Sequence, residues 1–267
     1  MQFGSEPNTE IVTPPAPPST TGARFAGRTV VVTGAGSGIG RATVVGLLAE
    51  GATVIAADVA PDRLQSLSEQ ATTERLVAVA GDLTDQAVVD SVVAAAGARV
   101  DGLASVAGIY DGWLPAAETD DTTWHTVMDL NVTVPMRLTR AVLPAMISGG
   151  GGALAYVSSE AGLRASISGA AYTTAKHALN GFVKSVAFYY GPLGVRANAV
   201  APGGVDTGMD IAFRSEYAQQ RTAAVLATAT PIVEPEVVTR ALLWLLSDDS
   251  ANVNGVILPT DGGWSTV

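Results

Sequence analysis

The feature that most constrains this chain is a glycine-rich loop set between a strand-like run and a helix-like run. Thr29-Val30-Val31-Val32 is β-branched and reads as a buried strand, ended by Thr33-Gly34. Thr33-Gly34-Ala35-Gly36-Ser37-Gly38-Ile39-Gly40 follows. A helical pattern then runs over about residues 40–49, with Gly51 as its closing glycine. Glycines at such a place let the chain turn tightly, bring backbone close to a pyrophosphate, and let helix and strand pack together. The helix start adds unpaired N–H groups and a partial positive charge. A bare glycine pattern is weak, but the strand–loop–helix context makes it a dinucleotide site, with Gly34, Ser37, Gly38, Ile39 and Gly40 against the cofactor.

The same alternation continues along the chain. Residues 53–57 read as a second strand ending at Asp58, and further strand-like runs occupy residues 76–80, 102–106, 152–157, 196–200 and 256–258. Helical stretches fill the gaps. Strands alternating with helices imply an α/β architecture with a mostly parallel sheet covered on both faces. Right-handed crossovers make it doubly wound. The expectation is a single domain over residues 25–267. Residues 1–24 crowd Pro14, Pro15, Pro17 and Pro18 among serines and threonines, which suits neither helix nor sheet, so this segment reads as a disordered proline-rich tail.

Composition removes several function classes. The net charge is −10 and the pI about 4.6, so phosphate backbones and anionic membranes are repelled and no nucleic-acid or membrane partner is expected. The absence of cysteine excludes disulfides, zinc–thiolate sites and thiol catalysis. His125 and His177 are far apart and read as ordinary helix residues, so no metal site is expected. No apolar run approaches the roughly 20 residues that span a bilayer. Glu6, Glu10 and the prolines stand where a signal peptide would be basic and then apolar, which points to a cytoplasmic protein.

Two carboxylates sit where a dinucleotide would meet them. Asp58, followed by Val59, lies 18 residues past Gly40 at a strand end. A carboxylate there accepts from ribose hydroxyls of NAD and repels the 2′-phosphate of NADP. With no basic residue read beside it, NAD is expected over NADP. Asp82, in Gly81-Asp82-Leu83 after the third strand, either accepts from an adenine amine or caps the helix beginning near Thr84.

Tyr172 and Lys176 stand four residues apart on a helical stretch, which puts them on one face. A nearby ammonium stabilises a phenolate, so the tyrosine can exchange protons near neutral pH. Thirteen residues before Tyr172, Val157-Ser158-Ser159 ends a strand, and strand C-termini line the ligand crevice of doubly wound sheets. A serine hydroxyl there can hold a reacting oxygen beside Tyr172.

In the joint order of Thr33 to Gly40, Asp82, Ala107-Gly108, Asn131, Ser159, Tyr172, Lys176 and Pro202-Gly203, the chain resembles the compact, single-domain branch of the short-chain dehydrogenase/reductase family over about residues 26–265. The resemblance implies a Rossmann fold, a hydride-transfer activity on an alcohol or ketone, and a homotetramer built on the helix bearing Tyr172 and the last strand, to which Phe182, Phe188 and Tyr189 could contribute. It implies Tyr172 as acid/base and Lys176 as the group that lowers the Tyr172 pKa and binds the nicotinamide ribose. Ser159 would orient the substrate oxygen, and Asn131 would hold a water relaying protons from Lys176. Pro202, Gly203, Val205 and Thr207 would wrap the nicotinamide. Where many members carry Asn-Asn-Ala-Gly, this chain has Ser105-Val106-Ala107-Gly108. The close backbone approach to the cofactor is kept, while two asparagine side chains that would brace the central strand are lost.

The substrate pocket is expected from Tyr110, Trp113, Ala161, Leu163, Gly204, Met209 and Phe213, mostly apolar, under a lid over about residues 208–230. This suits a hydrophobic or alicyclic secondary alcohol or ketone as the small-molecule partner. Two alternatives compete. One is an NADPH-dependent 3-oxoacyl-carrier-protein reductase, against which Asp58 and the lack of basic residues before the fifth and sixth strands count. The other is a catalytically silent NAD-binding regulator, against which the full set Asn131, Ser159, Tyr172 and Lys176 counts.

Overall fold

Alternation within the first strand sets the layers. In β1 (Thr29–Thr33), Val30 and Val32 point to one face and Val31 to the other, and all three are buried. A strand buried on both faces needs helices on both sides, and the computed structural model, which describes residues 23–266, supplies them. The tail expected over residues 1–24 lies outside the described residues except for Ala23 and Arg24, and Arg24 is ion-paired with Glu50 and Asp249.

Seven parallel strands form one sheet in the order β3-β2-β1-β4-β5-β6-β7. They are β1, β2 (Thr53–Asp58), β3 (Leu76–Ala80), β4 (Gly102–Ser105), β5 (Gly152–Val157), β6 (Val195–Pro202) and β7 (Ile257–Thr260). One face carries α1 (Gly38–Ala49), α2 (Pro61–Ala71) and α8 (Pro235–Leu246), whose Leu47, Leu64 and Leu242 pack with Val30 and Val32. The other carries α3 (Gln86–Ala96), α5 (Val134–Ser148) and α6 (Ala170–Tyr190), whose Val89, Leu138 and Val183 pack with Val31. This is the doubly wound single sheet expected. Strand limits shift by one or two residues, with β6 running on to Pro202 and β7 to Thr260, and α1 begins two residues before the expected start.

Two elements were not foreseen. Between α4 (Asp121–Met128) and α5 the helix widens into a π-turn over Asp129–Thr133, centred on Asn131. The expected lid contains α7 (Glu216–Leu226), capped by the Ser215 hydroxyl, which accepts from the Ala218 N–H. Among the described residues no helix is long and apolar enough to cross a membrane.

Candidate active site

From β1 the chain winds toward β2 and β3 on one side and then crosses to β4 on the other, so a crevice opens beyond the C-terminal ends of β1 and β4. A cavity of about 590 Å³ lies there. The glycine turn lines it through Gly34, Ser37, Gly38, Ile39 and Gly40. The close approach is literal, since a Cβ on Gly40 would stand 1.9 Å from the Gly34 carbonyl oxygen. Ser37, the N-cap of α1, makes no side-chain capping bond, so the first turn keeps N–H groups for an anion. This cradle fits a dinucleotide pyrophosphate.

Asp58 and Val59 also line the cavity. Asp58 is buried, and its carboxylate accepts from the Gly36 N–H (2.8 Å) and the Ala60 N–H (2.9 Å), which ties the end of β2 to the glycine turn. Sequence reasoning placed no basic residue beside it. The structure does: Arg63, in the first turn of α2, lines the same wall, with its Cβ 2.8 Å from where a Cβ on Gly36 would stand. Knowing that α2 begins at Pro61 would have found it, because the helix phase turns Arg63 back toward the loop.

Asp82 and Leu83 line the cavity beyond β3. Asp82 accepts from the Thr84 N–H and hydroxyl at 2.9 and 2.8 Å, and the helix cap is supplied instead by Asp85, which accepts from the Ala87 N–H. Val106, Ala107 and Gly108 line the middle. The brace that the missing asparagines would have made comes from β1, where the Thr33 hydroxyl accepts from the N–H groups of Val106 (3.0 Å) and Ala107 (3.1 Å).

Thr207 lines the cavity, whereas Pro202, Gly203 and Val205 stand outside its walls. Pro202 pairs with Thr260 at the end of β6, Gly203 backs onto Asp261, and Val205 bridges to Val233 and packs on the core.

Tyr172 and Lys176 line the same cavity from α6. Ser159 stands close enough to the Tyr172 hydroxyl to hold its pKa down, and its own oxygen accepts from the Ala161 N–H at 3.1 Å. The Lys176 Nζ donates to the Val157 carbonyl at 2.9 Å and lies 5.2 Å from the centre of the Tyr172 ring. Asn131 donates to the carbonyls of Ile109 and Val127, both at 2.9 Å, while its buried Oδ1 accepts nothing from the protein. A Cβ on Gly108 would lie 2.8 Å from that Oδ1 and 3.6 Å from the Lys176 Nζ. The π-turn therefore aims an unfilled acceptor into the space shared with the amine, as a proton-relaying water would need.

Electrostatics depart from expectation. Burial pushes the Tyr172 phenol up from its ordinary value, the Ser159 bond offsets part of this, and the Asp111 charge adds to it. Burial pulls the Lys176 amine down to about 7. Both groups are dehydrated, so each is driven toward its neutral form, and the expected lowering of the tyrosine by a permanent ammonium does not describe this site. The phenol keeps its proton and the amine is poised near neutrality.

Aromatic residues close the open side of Tyr172. Tyr110 packs on its ring at 4.7 Å, Trp113 packs on Tyr110, and Phe213 stacks on Trp113 at 4.5 Å. The Trp113 indole N–H donates to the Ile211 carbonyl at 2.9 Å, so the expected lid is fastened to the segment after β4. Met209 lines the cavity and Ala161 is buried beside Tyr172, while Leu163 is partly exposed and Gly204 lies against Ile232.

A family model described as short chain dehydrogenase matches residues 28–218. A short-chain dehydrogenase/reductase of Talaromyces verruculosus is 37% identical over 252 residues, covering 89% of this chain and 97% of that one. The 3beta-hydroxysteroid dehydrogenase 2 of Eggerthella lenta is 37% identical over 250 residues, covering 90% and 96%. Among solved structures, levodione reductase superposes with a TM-score of 0.82 at 30% identity, covering 91% of this chain and 99% of that one.

Proposed function

Because the chain belongs to the short chain dehydrogenase family, we propose that it moves a hydride between NAD(H) and a hydrophobic or alicyclic secondary alcohol or ketone, with Tyr172 as acid/base. The observation that carries this reading is Tyr172 and Lys176 lining one cavity with the glycine turn, the amine 5.2 Å from the ring centre and an aromatic wall on the other side.

In this reading the glycine turn, Asp58, Val59, Asp82, Leu83 and the Val106–Gly108 backbone hold the dinucleotide, which supplies the hydride acceptor or donor when bound. Ser159 holds the substrate oxygen against the Tyr172 hydroxyl. Tyr172 gives its proton to a ketone oxygen or takes the proton of an alcohol. Lys176, poised near pH 7, refills or drains that proton, and Asn131 Oδ1 anchors the water path onward. Tyr110, Trp113 and Phe213 exclude water and favour an apolar frame around the reacting carbon. The Eggerthella relative, named for a 3beta-hydroxysteroid, is in keeping with such a frame.

Asp58 supports NAD, whereas Arg63 on the same wall is the one observation favouring NADP, and with it the carrier-protein reductase reading. A cytoplasmic location and a homotetramer belong to the same proposal. The tetramer is supported by an apolar cleft between α5 and α6, lined by Leu143, Ile147, Phe182 and Val186, with Phe188 and Tyr189 exposed further along α6. A screen of secondary alcohols with NAD and NADP, followed by absorbance of the reduced cofactor, tests the function. Turnover of apolar secondary alcohols with NAD preferred is expected. Cofactor binding without turnover of any alcohol or ketone would return the silent regulator.

A further inference from the structure

Helix α6 starts without a capping side chain. Its N-cap residue is Gly169, and its first turn contains Tyr172 at the third position, where a free N–H is ordinarily left over. Such an end is usually closed from within by a Ser, Thr or Asp at the N-cap and a Glu or Gln three residues on. Here one remote carboxylate fills both roles. Asp111, fully buried in the loop after β4, accepts from the Tyr172 N–H through Oδ2 at 2.9 Å and from the Gly169 N–H through Oδ1 at 3.1 Å. Oδ1 also accepts from the Trp113 N–H at 3.1 Å.

The surroundings are shaped to this contact. A Cβ on residue 169 would stand 2.4 Å from the Asp111 Oδ2, so only glycine lets the carboxylate reach the helix end. The Ala170 N–H donates to the Leu114 carbonyl, a second strap between the same loop and the same turn. Trp113 is held at φ +62°, a left-handed conformation that is strained for a non-glycine residue. Burial pushes the Asp111 carboxyl up from its ordinary value, and the N–H groups of Tyr172, Gly169 and Trp113 offset part of that cost.

Resting on the reading of Tyr172 as the acid/base, we propose that Asp111 is a positioning residue whose carboxylate caps α6 from the loop after β4 and fixes where the Tyr172 hydroxyl stands. It touches the tyrosine's backbone rather than the reacting atoms. It also supplies a negative charge near the phenol. The other polar and titratable groups around Tyr172 are Lys176 on its own helix, Tyr110 from the Asp111 loop, and the uncharged Ser159 after β5. The α4 and α7 sides present apolar Val127 and Ala218.

The test is Asp111→Asn in the full chain, which keeps the shape and removes the charge. Three quantities are measured: alcohol turnover with NAD across pH, NADH binding by fluorescence, and the ultraviolet titration of Tyr172, isolated by subtracting the Tyr172→Phe trace. The expected result is a kcat lower on the order of tenfold with NADH affinity nearly unchanged. The Tyr172 titration should move to lower pH, because a charge that raises it is gone. A merely stabilising Asp111 would lower the yield of folded protein and leave kcat of the folded fraction within about twofold of the wild type, and that result overturns the proposal. If the wild type turns over no alcohol, the proposed function fails and amide exchange of the Gly169 and Tyr172 N–H groups decides on Asp111. Should the variant not fold, amide exchange of the wild type decides: Gly169 and Tyr172 N–H groups as slow as the middle of α6 support the cap, and exchange as fast as an ordinary helix end overturns it.

Discussion

The Lys176 amine lies 5.2 Å from the centre of the Tyr172 ring, and both side chains are buried. Burial holds the amine at about 7 against an ordinary 10.5. Between those two values the unfolded chain binds a proton that the folded chain does not, so this lysine's contribution to stability rises with pH across that window and is least favourable below about 7. Replacing it by an apolar residue of similar length should relieve that penalty. Lys176→Met is expected to be more stable than the wild type below about pH 7, by on the order of 2 kcal/mol after losing the bond to Val157. The gap should close as pH rises toward the ordinary lysine value. Denaturant unfolding of both proteins across pH checks this, and the variant should be inactive throughout.

Cofactor choice turns on Asp58 and Arg63, which share one wall of the cavity. Asp58→Ala removes the bond to the Gly36 N–H as well as the charge, so binding of both cofactors should weaken. The informative quantity is therefore the ratio of kcat/KM for NAD over NADP. It should fall about tenfold, which is about 1.4 kcal/mol. Arg63→Ala should move the ratio the opposite way by weakening NADP. A ratio unmoved by either variant would take this wall out of the specificity.

Trp113 ties the lid to the body through its bond to the Ile211 carbonyl and its stack on Phe213. Trp113→Ala should raise KM for an apolar alcohol on the order of tenfold while leaving NADH affinity within about twofold. A smaller, more polar alcohol should be affected less. Equal losses for both substrates would mean that the indole serves only to hold the lid fold.

Much of this site was legible because its signals are local. The turn from Thr33 to Gly40 announces itself by composition, and Ser159, Tyr172 and Lys176 by position at a strand end and along one helix face. The unread parts act at a distance. Arg63 needs the phase of α2 to be known, and the Thr33 brace needs the register of β1 against β4, where Val32 pairs with Ala104. The π-turn at Asn131 leaves no mark in hydrophobic spacing. Asp111 caps a helix that begins 59 residues later, and its only sequence trace is an acidic residue in the otherwise apolar run Ile109-Tyr110-Asp111-Gly112-Trp113, paired with a glycine where α6 needs a cap. The upward shift of the Tyr172 phenol comes from burial, which a helix-face argument does not see.

The most direct measurement compares Tyr172→Phe with the wild type on one apolar secondary alcohol, with NADH affinity measured alongside. Removing only the hydroxyl should lower kcat by about 10²–10⁴-fold and leave NADH binding within about twofold. Turnover at near wild-type rates in that variant would contradict the assignment of the proton transfer to Tyr172.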